Sequence, residues 1–149
     1  MRFVVGVDGS ESSRRAFEFT LQLAEASRAQ VKCVFVRHVP AAVLVAASTG
    51  RPGAIDVLAS ALDAQEAAVE DIVAAFKGSA AYVTTETRSG GDVGRVLEAA
   101  AEDWGADLIV VGSRGLHGLH RLVAGSGSTG LVHRGHLPVL VVPCHQRNM

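Results

Sequence analysis

Apolar positions in this chain follow two rhythms: short unbroken runs, and longer stretches with an apolar residue every third or fourth place. Residues 3–7 (FVVGV) form the first run. A run without polar alternation predicts a strand covered on both faces, as in parallel sheets. Ser10 or Ser12 can cap a helix that runs to about residue 28, with Phe17, Leu21 and Ala24 on one stripe. A second run, 31–36, follows at once. Residues 39–53 hold Pro40, Gly50, Pro52 and Gly53 around a small-residue stretch, which predicts a long loop. Ile55, Leu58, Leu62, Val69, Ile72 and Phe76 then recur at helical spacing until Lys77-Gly78 stops the helix. The β-branched stretch 81–87 predicts the third strand. Asp92 caps a helix carrying Val93, Val96, Leu97, Ala100 and Trp104, ended by Gly105. Residues 107–112 are the fourth strand, 113–125 a glycine-rich loop, 126–133 a short helix and 138–143 the last strand.

Five strands alternating with four helices predict an α/β fold: a parallel sheet with helices on both faces and right-handed crossovers. In such sheets ligands bind outside the carboxyl ends of the strands, where the strand order reverses. The two segments least like scaffold, Asp8-Gly9-Ser10 and 112–128, both sit at strand carboxyl ends, which localises the expected site.

Composition narrows the partners. The chain has 149 residues, enough for one domain, and 48% hydrophobic residues, enough for a core. A formal net charge of -1 argues against nucleic acid, which calls for a basic stripe. Only Lys32 and Lys77 are lysine, so a phosphate site built on lysine has few candidates. Cys33 and Cys144 form no CxxC pair, and Cys33 falls in an apolar run, as a buried small hydrophobe does. The chain enters a strand-like run at once, which predicts no signal peptide, and the longest uncharged stretch, 38–50, is broken by Pro40. A cytoplasmic protein without a membrane partner is the expectation.

From Gly112 the chain reads GSRGLHGLHRLVAGSGS. Glycines admit close backbone approach, and N–H groups at a helix start meet anionic oxygens with the helix dipole behind them. Ser126, Ser128 and Thr129 add hydroxyl donors. Taken alone, the segment fits either a phosphate cradle or a loop whose glycines only turn the chain. Residues 125–130 match GxGxxG, but a dozen residues past the strand, and no GxxxxGK[ST] occurs.

The spacing that fits is Gly112-x2-Gly115-x9-Gly125-Ser126, which resembles the ATP-binding signature of the universal stress protein family. The likeness extends to the opening VVGVDGS with Ser13 and Ala16, to FVRHV at 35–39, to DLIVVGSRG at 107–115 and to the closing PVLVV at 138–142. It covers essentially the whole chain, and implies a universal stress protein domain over 1–145 with a tail of 146–149. The resemblance implies a five-stranded parallel sheet of strand order 3-2-1-4-5, of the Rossmann-like, adenine nucleotide alpha hydrolase-like type. It places Asp8, with Gly9 and Ser10, against ribose and phosphates, and Val39 against adenine. Gly112, Arg114 and Gly115 would line the ribose–phosphate path, and Gly125, Ser126, Gly127 and Ser128 the phosphates. Gly127 departs from the family, which places a bulky aliphatic between the two serines. The implied ligand is ATP, or ADP, AMP or cyclic AMP, and a carboxylate beside phosphates makes Mg²⁺ bridging at Asp8 a natural accompaniment.

No catalytic constellation is assembled by spacing: Ser126 is too far from a strand end for a nucleophile elbow. Slow ATP hydrolysis or self-phosphorylation in the same pocket is one alternative to a nucleotide-dependent stress-response regulator or sensor. A nucleotide-independent, chaperone-like dimer is the other. His117, His120, His133 and His136 have no cysteine or carboxylate nearby in sequence and read as polar surface residues. Residues 138–143, an edge strand in the implied order, carry no charge and are bounded by Pro138 and Pro143, which predicts a homodimer paired through this strand.

Overall fold

The computed structural model describes residues 1–37, 41–78, 81–113 and 135–144, with the backbone alone for 41–43. The elements run β1 (Arg2–Val7), α1 (Glu11–Ser27), β2 (Gln30–Arg37), α2 (Ala41–Ser48), α3 (Ala54–Ala75), β3 (Tyr82–Ser89), α4 (Val93–Trp104), β4 (Leu108–Gly112) and β5 (Val139–Val142). All strand pairs are parallel, and their order is β3-β2-β1-β4-β5. The chain steps outward from β1 to β3, then returns to the far side of β1. The β1–β4 boundary is therefore the switch point.

Strand alternation divides the core between the two faces of the sheet. Phe3, Val5, Val7, Val31, Cys33, Phe35 and Val110 pack with Phe17 and Leu21 of α1 and with Val69 and Ile72 of α3. On the other face, Val4, Val34, Val36, Ile109 and Val111 pack against Leu97, Ala100 and Ala101 of α4. The unbroken apolar runs of β1 and β4 follow from burial on both faces. The buried Thr20 hydroxyl donates to the Ala16 carbonyl at 2.6 Å.

Helix ends follow local chemistry. Ser10 and Asp92 cap α1 and α4 by accepting from the backbone of Ser13 and Arg95. Arg28 and Gly105 close the same helices in the left-handed conformation. The outer corner of the α4 face is finished with charge. Lys32 bonds Glu86 at 2.9 Å, Arg88 joins Glu86 and Asp103, and the Lys32 ammonium lies 5.0 Å from the Trp104 ring centre. The Lys32 hydrogen bond, followed by Arg88, holds the Glu86 carboxyl below its ordinary range.

One expectation is corrected. The stretch read as a long loop, 39–53, contains the helix α2. The flanking prolines and glycines drew attention away from its interior, AAVLVAAS, which has neither and is rich in the best helix former. The glycines mark the junction between two helices instead: the backbone turns at Gly50, after α2, with φ 69° and at Gly53, the N-cap of α3, with φ 83°. The short helix expected at 126–133 lies outside the described residues.

Candidate functional site

The carboxyl end of β1 turns sharply into α1. Asp8 Oδ1 accepts from the Ser10 N–H at 2.9 Å, Ser10 Oγ accepts from the Ser13 N–H at 3.2 Å, and Ser13 Oγ donates to the Ser10 carbonyl at 2.9 Å. Asp8 thus has a definite turn role, as an aspartate before Gly-Ser does. Gly9 makes the turn possible twice over. Its φ is +84°, and a Cβ there would sit 2.8 Å from Cβ of Ala68 and 3.4 Å from the Gln65 carbonyl.

The end of β4 meets this turn from the other side. A Cβ at Gly112 would lie 2.5 Å from both the carbonyl and the hydroxyl oxygen of Ser12, so only glycine lets the first turn of α1 come this close. The next residue, Ser113, ties β4 to β5: its N–H donates to the Val142 carbonyl and its Oγ accepts from the Cys144 N–H, both at 2.9 Å. Arg15 of α1 donates to the Cys144 carbonyl. Ends of β1, β4 and β5 and the start of α1 form one hydrogen-bonded floor at the switch point.

Of the residues expected at the site, Asp8, Gly9, Ser10 and Gly112 therefore stand together. Val39, Arg114, Gly115, Gly125, Ser126, Gly127 and Ser128 lie outside the described residues, as do His117, His120 and His133. Among the described residues no group of three or more His, Cys, Asp or Glu is placed to hold a metal ion.

Three features at this end went unread in the sequence. Ser113 and Arg15 act through backbone carbonyls and amides that no motif records. Arg37, which closes β2 on the α3 side, pairs with Glu66 of α3. A charge ending an apolar run was its one signal. A cleft of about 450 Å³ extends from Glu66 between α3 and the β2–β3 pair, with Cys33, Phe35, Thr85 and Thr87 among its lining. It lies off the switch point. Burial pushes the Cys33 thiol up to about 12, so it is no nucleophile at neutral pH.

A doubly wound parallel sheet with its crevice at the β1–β4 switch point defines a Rossmann-like protein. The profile of the universal stress protein family matches residues 1–143, and the chain belongs to that family. A universal stress protein of Methanocaldococcus jannaschii is 28% identical over 142 residues, covering 95% of this chain and 81% of its own. A universal stress protein solved in complex with cAMP has a TM-score of 0.60 at 25% identity, covering 97% of this chain and 98% of its own. A family member from Arabidopsis thaliana with AMP bound has a TM-score of 0.65 at 20% identity, over 96% and 91%. At that identity the last likeness is one of fold. Among the described residues no helix is long and apolar enough to cross a membrane.

Proposed function

We propose that this protein binds an adenine nucleotide in the β1–β4 crevice and acts as a nucleotide-dependent stress-response regulator. The observation that carries this reading is the convergence of the Asp8–Ser12 turn and Gly112 on one floor at the switch point. The cAMP complex of a relative 25% identical over nearly the whole chain supports the ligand class. Phosphates go to the glycine and serine segment after β4, held by backbone N–H groups and hydroxyls rather than by lysine. ATP is the form the signature spacing favours, with Mg²⁺ shared between its phosphates and Asp8, since hard cations seek oxygen ligands.

Replacing Gly115 and Gly125 together with valine fills the space the phosphates need. Calorimetry should then show ATP binding lost; unchanged affinity in the double variant means the site is elsewhere. ATP or AMP carried through purification of the wild type supports the same reading.

The assembly proposed is a homodimer joined through β5. In the observed order this strand is the sheet edge, and Val141 is 42% exposed there. An uncharged edge strand invites a second chain, and antiparallel pairing with its mate closes a two-fold dimer. Replacing Val141 with lysine should convert the dimer to monomer in sedimentation. A wild type that sediments as monomer at tens of micromolar overturns the assembly.

A further inference from the structure

We propose that the Arg37–Glu66 pair reads the base of the bound nucleotide and selects adenine over hypoxanthine and guanine. This rests on the nucleotide reading above: with phosphates at the β4 end, the base falls to the opposite wall, where β1 and β2 end.

Three observations place the pair there. Arg37 is the last residue of β2 and shares a face with Val31, Cys33 and Phe35, the side covered by α3. Glu66 receives its guanidinium from α3. The neighbours of Glu66, Gln65 and Ala68, are the residues packed against Gly9 at the end of β1, with room for no side chain between. Glu66 therefore stands on the turn of α3 that packs against the end of β1, at the lip of the crevice.

The pair is also incomplete. Arg37 Nε is buried with no acceptor among the described residues, and a buried donor is rarely left so in a finished structure. Glu66 accepts from the guanidinium through Oε2 alone of its two oxygens in this pair. The two side chains are 40% and 31% exposed, within reach of a ligand. Ion pairs this exposed add little to stability, so folding alone is a weak reason for this one.

A donor beside an acceptor is the complement of adenine. Its exocyclic N6–H₂ donates, and its ring nitrogens accept. Glu66 takes the N6–H₂ and the Arg37 guanidinium donates to a ring nitrogen. Hypoxanthine and guanine carry O6 in place of N6, which turns a donor into an acceptor facing a carboxylate. A site built around a hydrogen bond rejects the analogue that leaves it unmade, because the partner is then covered by the base and unpaired.

AMP and IMP differ at this one substituent and make the test. Calorimetry on the full chain should show wild type preferring AMP by about 10-fold or more. Glu66→Gln offers both a carbonyl and an amide, so it should bring the two within about twofold, with AMP weakened and IMP strengthened. Glu66→Asp keeps the charge and should keep the sign of the preference. A merely structural ion pair would leave the AMP/IMP ratio unmoved. The inference fails if wild type binds AMP without preference, or if the preference survives intact in Glu66→Gln. A wild type that binds neither nucleotide overturns the nucleotide reading itself, and this one with it.

Discussion

Helix α1 and the first half of α3 are both rich in apolar residues, yet they meet opposite fates. Seven residues of α1 are buried, including Phe17 and Leu21. In α3 burial begins only at Val69, and Ile55 and Val57 stand 69% and 71% exposed. The difference is one of placement. The whole of α1, about 26 Å, matches a strand of eight residues at about 26 Å, whereas the part of α3 that precedes Val69 alone spans about 22 Å. The helix α3 enters from the carboxyl ends of the strands, and this first part stands short of the packed core, with α2 beside it. Apolar spacing states that a residue is able to be buried; the reach of the sheet decides whether it is.

Phe17 and Ile55 test that contrast most sharply. Phe17 is fully buried and meets Phe76 edge-on with ring centres 5.5 Å apart. Phe17→Ala should cost about 3–5 kcal/mol in chemical denaturation. Ile55→Ala should change stability by no more than about 0.5 kcal/mol. Comparable losses at both sites would mean that the first half of α3 is packed after all.

Gly9 marks where the packing of α3 begins. Gly9→Ala puts a side chain in the left-handed region and drives it into Ala68. A destabilisation of about 2 kcal/mol is expected from backbone strain, with the added clash increasing it. Pairing it with Ala68→Gly relieves the clash but not the strain, so the double variant should recover only part of the loss in thermal melts.

The smallest effect belongs to the charged corner beside β3, where polar pairs replace apolar cover. Because the Glu86 carboxyl is held below its ordinary value of 4.5, its contribution is full above that pH. It is lost as the pH falls through the depressed value, since the unfolded state binds the proton first. Glu86→Gln should therefore flatten the acid limb of a melting-temperature profile below about pH 4.5. Solvent screening keeps the difference small, and an unchanged acid limb would show that the pair contributes nothing.

What was legible in the sequence divides along the same line. Strand runs, the α1 stripe, the Asp92 and Gly105 helix ends and the alternation that requires a parallel sheet are local or periodic signals, and all appear in the structure. The 3-2-1-4-5 order came through resemblance and is also the order observed. Helix α2 was missed because breakers at its borders outweighed a short interior that only propensity describes. The Asp8–Ser10 turn was readable, since its bonds join residues two or three apart. The Ser113–Cys144 and Arg15–Cys144 links were not, being bonds to backbone across 31 and 129 positions.

Gly112 has a consequence for how a ligand is received. Its contact with Ser12 joins β4 to the amino end of α1 with no side-chain atoms from β4 and only the buried Ser12 hydroxyl from α1, so this junction has little side-chain freedom to lose. The ordering cost of that part of the site is met when the chain folds, and none is charged to the encounter. Adaptation on binding must then fall to other walls. Along the floor, affinity reflects contacts made rather than disorder removed.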